Sequence, residues 1–147
     1  MDRLVPLIAK VLGVHGRNHP ELKQIQSLFH GLGDELTMHM MKEERMLFPY
    51  IEQLEAAMEP GGHPAIPMFG TVQNPVRMMM MEHDFAGHAL HRMREITGGY
   101  AAPADACVSY QTLYKALQEF ERDLHQHIHL ENNILFPRAI GLELRAL

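Results

Sequence analysis

Apolar residues recur along this chain at three- and four-residue intervals almost throughout, and period-two alternation is nearly absent. The pattern predicts an all-α fold. A first short segment, Leu4 to Val14, runs into Gly13-Val-His-Gly16, a C-terminal cap region. Pro20 then stands in a first-turn position behind Asn18 and His19, and opens a second helix that runs towards Met58 with a bend near Pro49. Leu32, Leu36, His39, Met40, Glu43 and Leu47 form its inward stripe. Residues 59–75 are irregular, with Pro-Gly-Gly and further prolines, until Asn74 and Pro75 read as a cap and a first-turn proline. The third helix spans Val76 to Ile96, with the stripe Val76, Met79, Met80, His83, Gly87 and Leu90, and Thr97-Gly-Gly99 stops it. A fourth helix begins near Pro103 and turns Leu117, Phe120, Leu124, His127, Ile128, Glu131 and Leu135 inward.

Two of these stripes contain the same phrase. His39-Met-Met-Lys-Glu43-Glu-Arg-Met-Leu-Phe-Pro49 and His127-Ile-His-Leu-Glu131-Asn-Asn-Ile-Leu-Phe-Pro137 both read His-x3-Glu-x3-Leu-Phe-Pro. Positions i and i+4 share a helix face, so each copy aims an imidazole and a carboxylate at one point. Two such helices facing each other offer nitrogen and bridging-capable oxygen ligands, a set suited to a pair of iron or manganese ions more than to a lone structural zinc. The order differs from the Glu-x-x-His of ferritin-like bundles. His125, His127 and His129 alternate and cannot share a face; His127 falls with Leu124, Ile128 and Leu135, whereas the rival pair His125/His129 has no counterpart in the first copy. His83, on the inner stripe of the third helix, joins the candidate ligands. His19, His30, His63 and His88 read as surface or loop residues, and His15 as a helix-end residue.

Composition narrows the function classes. A chain of 147 residues makes one domain, 1–147, with enough length for a buried core. A net charge of −5 without a Lys/Arg-rich stretch argues against nucleic acid or an anionic membrane as partner. No apolar run approaches the ~20 residues that a membrane span needs, and Met-Asp-Arg-Leu-Val-Pro is not a signal peptide. The single cysteine, Cys107, fits a reducing, cytoplasmic setting and reads as a small buried or half-buried hydrophobe. The twelve methionines, including the run Met78 to Met81, read as flexible core filler.

The two long motifs, together with Met81-Glu-His83-Asp-Phe-Ala-Gly87 and Pro103-Ala-Asp-Ala-Cys107, resemble hemerythrin-type (HHE cation-binding) domains. Among these they are most similar to the bacterial di-iron proteins for repair of iron centres in iron-sulfur clusters. The resemblance implies an up-down four-helix bundle around two irons, with Mn or Zn as substitutes. Glu43 and Glu131 would bridge the metals, and His39, His83 and His127 would be terminal ligands. It further implies repair of clusters damaged by nitric oxide or oxidative stress, with iron-sulfur proteins as clients and oxygen or nitric oxide as small ligands. The alternative is a sensor module that binds oxygen, nitric oxide or iron without catalysis.

Two departures from the family are visible. Its members usually carry an amino-terminal module with a Cys-Cys pair, which this sequence lacks, and they take a further ligand histidine from the first helix. Here the first helix is short. Counting back from the loop places that corner ahead of Met1, while His15, beside the loop, would lie ~30 Å from the metals. The expectation is therefore a site with one open position and an exposed groove that favours a homodimer.

Overall fold

The computed structural model describes residues 1–63 and 66–147, so that Pro64 and Ala65 of the expected irregular stretch lie outside it. The described residues contain helices and no strand: α1 (Leu4–His15), α2 (Glu21–Lys42), α3 (Phe48–Ala57), α4 (Gln73–Ile96), α5 (Val108–Leu130) and α6 (Phe136–Ala146). Single π-helical turns, Glu43–Leu47 and Glu131–Leu135, join α2 to α3 and α5 to α6. Four rods result, and the first is the shortest. None of the described helices is long and apolar enough to cross a membrane.

The residues fall into two compact units, Met1–Glu35 with Phe85–Gln126, and Leu36–Asp84 with His127–Leu147. In the first unit, Leu4, Ile8 and Val11 of α1 pack with Leu22, Ile25 and Phe29, with Met93, and with Tyr110, Leu113 and Leu117. α1 stops at Gly16, whose N–H reaches Leu12 O at 2.8 Å. A Cβ on Gly16 would come within 2.5 Å of that same oxygen, so only glycine fits there. At the other stop, Gly98 and Gly99 take φ of 61° and 76°, and Tyr100 follows at 62°. That left-handed tyrosine is held by its N–H on Thr97 Oγ1 (3.0 Å) and by Arg94 over its ring.

The second unit has its own core, comprising Leu47, Tyr50, Leu54, Val72, Val76, Met79, Phe136 and Ala139. At one side of this core a buried carboxylate, Glu143 of α6, accepts bonds from Tyr50 Oη (2.6 Å), Thr71 Oγ1 (2.5 Å) and Val72 N–H (2.8 Å). This cap starts α4 at Gln73, three residues ahead of the expected Val76. Asn74 is consequently inside the first turn and not the cap; its amide donates to Phe69 O at 2.8 Å.

The methionine expectation is overturned. Only Met79 and Met93 are buried, and the other ten methionines are exposed. A helix turns about 100° per residue, so four successive methionines cannot share the core face. Of the run, Met79 alone points inward, and Met80 and Met40, both expected inside, are exposed. Cys107 is also exposed, because α5 starts after it at Val108 and not near Pro103.

Candidate metal centre

The second unit brings the duplicated phrase together. His39 is near the end of α2 and Glu43 opens the π turn that follows; Glu131 opens the other π turn, and His83 comes from the middle of α4. All four are buried. His83 Nε2 lies 2.8 Å from Glu131 Oε1, His39 Nε2 lies 3.2 Å from the same oxygen, and the two Nε2 atoms are 3.2 Å apart. Glu43 Oε1 is 3.1 Å from His39 Nε2. His127 Nε2 approaches Glu131 Oε1 at 3.3 Å. Two potential cation sets follow, His39/His83/Glu131 and Glu43/His127/Glu131, with Glu131 common to both.

His127 departs from the expected burial. Its side chain is 51% exposed, although it reaches the same oxygen as the buried imidazoles. Neither His125 nor His129 belongs to a cation set among the described residues. Both are exposed, and His129 is tied to Asn133. His15 is the last residue of α1 and falls in the other unit.

The π turns explain the Pro at the end of each phrase. Pro49 and Pro137 have no N–H to close an ordinary α turn, and the preceding Phe48 and Phe136 donate back five residues to the carbonyls of Glu43 and Glu131. Each ligand-type carboxylate therefore sits on a widened turn. Phe136 also stacks on His83, with ring centroids 5.7 Å apart and planes within 10°.

Polar groups stand behind both imidazoles. His83 Nδ1 donates to Asn132 Oδ1 at 2.7 Å, which aims Nε2 at Glu131. His39 Nδ1 lies 3.5 Å from Glu82 Oε1 with no hydrogen bond between them, and Lys42 holds the other oxygen of Glu82 at 3.1 Å. Asn132 and Glu82 were not singled out from the sequence. The only available signal was adjacency, each being next to a candidate ligand.

The group fits a cation by its chemistry. Two imidazole nitrogens and a carboxylate oxygen, mutually 2.8–3.2 Å apart, can be satisfied by one positive centre between them. Cis ligands on an octahedral ion with bonds of ~2.1 Å are roughly 3.0 Å apart, which is this spacing. Without a cation, protons must take that role. Burial works against a charged His39, but bonds to Glu131 and Glu43 outweigh it and push the imidazole up to about 10. Burial likewise favours a neutral Glu131, yet His39 and His83 hold its carboxyl well below the usual range. Burial pushes Glu43 up. Positive charge is what the cluster selects, and a metal ion would compete with these protons.

Comparison with known proteins now bears on this geometry. The hemerythrin HHE cation binding domain matches residues 1–139. The chain belongs to that family. It is 43% identical over 142 residues to the iron-sulfur cluster repair protein DnrN of Neisseria gonorrhoeae, covering 95% of this chain and 79% of the relative. It is 38% identical to a probable iron-sulfur cluster repair protein of Haemophilus influenzae, and 42% identical to the iron-sulfur cluster repair protein YtfE of Pectobacterium atrosepticum. These alignments cover 96% and 95% of this chain but 57% and 58% of the relatives, so the chain spans little more than half the length of those two proteins. As a member of this HHE family, the chain has the all-α fold expected from its periodicity and the hemerythrin-like character that the resemblance implied, and the His/Glu sets lie in the matched region.

Proposed function

We propose that this HHE chain is a cytoplasmic non-haem di-iron protein acting in repair of iron-sulfur clusters damaged by nitric oxide or oxidative stress. The observation that carries the reading is the convergence of His39, His83, Glu43 and Glu131 in a buried group, with Glu131 common to two ligand sets. The names of the relatives supply the reaction class. In this reading His39 and His83 would hold one iron and His127 the other, with Glu43 and Glu131 shared between them. Bound iron would supply Lewis acidity and one-electron redox chemistry. The chain's own residues do the rest. Asn132 orients His83, Phe136 shields the same ring from water, and the exposed flank of His127 gives small ligands such as oxygen or nitric oxide a route in.

The test has two parts. Anaerobically loaded protein should carry two irons; Glu43→Ala and Glu131→Ala should each lose at least one, while His125→Ala and His129→Ala should retain both. Loss of iron from His125→Ala with none from His127→Ala would refute the assignment. Loaded protein should also restore activity to a dehydratase whose iron-sulfur cluster has been damaged by nitric oxide, and Glu131→Ala should not. A spectral response to oxygen or nitric oxide with no restored client would instead support the sensor alternative.

A further inference from the structure

Outside this centre, a second set of ligand-type side chains meets in the first unit. We propose that His15, His19 and Asp105 form a separate site for a divalent transition ion, zinc being the best match, with three protein ligands and a fourth position open to water.

The first of these side chains stands at the end of α1. His15 is its last residue, and His19 N–H bonds to His15 O at 2.9 Å, so the two histidines keep an i, i+4 register beyond the helix proper. Asp105, in the turn ahead of α5, comes from 86 residues further on and meets His19 Nε2 at 2.8 Å. One ligand atom from each of the three residues lies within 4.8 Å of the other two. A tetrahedral ion with bonds of ~2.0–2.1 Å holds its ligands about 3.4 Å apart, so side-chain rotations of about an ångström would close the site.

Three further observations favour a ligand over a simple His–Asp pair. His15 Nε2 is shielded from water and has no partner, which a plain His19–Asp105 bond does not remedy. Both imidazoles pack edge-on against the fully buried Tyr110, at 5.0 and 5.4 Å, which orients them from behind. His19 Nδ1 faces Glu21 Oε1 at 3.3 Å while Nε2 faces Asp105, the carboxylate–histidine–metal order common around zinc. The half-exposed Asp105 leaves the fourth position to water.

The experiment uses the full chain, stripped with a chelator and titrated with Zn2+ alone, with bound zinc counted after desalting. His15→Gln and Asp105→Asn should each bind one zinc fewer than the unmodified chain. The unmodified chain supplies a second measurement. Saturating zinc should move the imidazole nitrogen signals of His15 and His19 in NMR spectra, and should still do so in Glu131→Ala, where the other centre is disabled. Equal zinc counts in folded variants would overturn the site, as would unmoved His15 and His19 signals. Failure of the di-iron reading would leave both results intact.

Discussion

Replacing Glu143 by alanine should be among the most damaging single changes in this chain, although the residue touches no ligand-type side chain. The carboxylate accepts from Tyr50 Oη, Thr71 Oγ1 and Val72 N–H, tying α3, α6 and the start of α4 together. Val72 is fully buried and Tyr50 nearly so, whereas Thr71 is half-buried and can rehydrate. Two orphaned buried donors cost about 1–3 kcal/mol each, and a lost methylene adds about 0.8 kcal/mol. The expected destabilisation is about 3–7 kcal/mol, or ~9–21 °C in Tm at about 3 °C per kcal/mol for a chain of this size. Glu143→Gln should behave differently. Its amide oxygen can take the place that serves Tyr50 and Val72, and its NH2 can donate to Thr71, so only the charge assistance is lost, about 1–2 kcal/mol. The sign with pH follows from the carboxyl. Burial raises it, but bonds from Thr71, Tyr50 and Val72 outweigh burial and hold it below the usual range. A depressed folded-state pKa gives stability above the unfolded value, about 4.3, and loses it as pH falls through the folded one. The gap between the unmodified chain and Glu143→Gln should therefore be full at neutral pH and close below about pH 4. Thermal melts in chelator, across pH, measure this. If Glu143→Gln proves as costly as Glu143→Ala, or if the gap persists in acid, the capping argument is wrong.

Two other outcomes can be checked on the same instrument or beside it. Iron loading should raise Tm, by roughly 2.7 kcal/mol of stability at a hundredfold excess over Kd, because the metal-free form buries His39, His83, Glu43 and Glu131 against one another; superimposable melts would mean that the centre does not bind iron in the folded state. Pro137→Ala supplies an N–H that can close an ordinary α turn onto Asn133 and remove the π turn, so iron affinity should fall at least tenfold; unchanged affinity would show that the proline does not hold Glu131 in place.

The helices are legible because their apolar spacing is strong, and the meeting of His39, Glu43 and Glu131 is legible because i, i+4 spacing fixes a face, with His83 added from the inner stripe of its own helix. What failed was arithmetic on hydrophobicity alone. Met40 and Met80 are apolar and close to a stripe, but each is about 100° from the buried residue beside it, His39 and Met79. Nothing in the sequence marks Glu143, since a glutamate near a polar helix end usually faces water. The contact that buries it comes from Tyr50, Thr71 and Val72, at least 71 residues away in sequence. His19 stands in a loop, as its sequence position predicts, but its partner Asp105, 86 positions distant, is not legible from spacing.

The duplicated phrase carries the deeper lesson, because its two copies do not fold into equal surroundings. On a regular helix Leu47 and Leu135, each four residues after the glutamate, would both lie on the ligand face. A π turn inserts one extra residue per turn, so the fifth position competes with the fourth for that face. In the first copy the fourth position wins, with Leu47 fully buried and Phe48 partly exposed. In the second the fifth wins, and Phe136 is buried against His83 while Leu135 is half-buried. The histidines diverge in parallel, His39 closed in and His127 half open. Identical spacing thus builds one shielded imidazole, suited to holding a metal, and one accessible imidazole, suited to letting a small ligand reach it. That asymmetry depends on what packs against each copy, which the repeat itself does not encode.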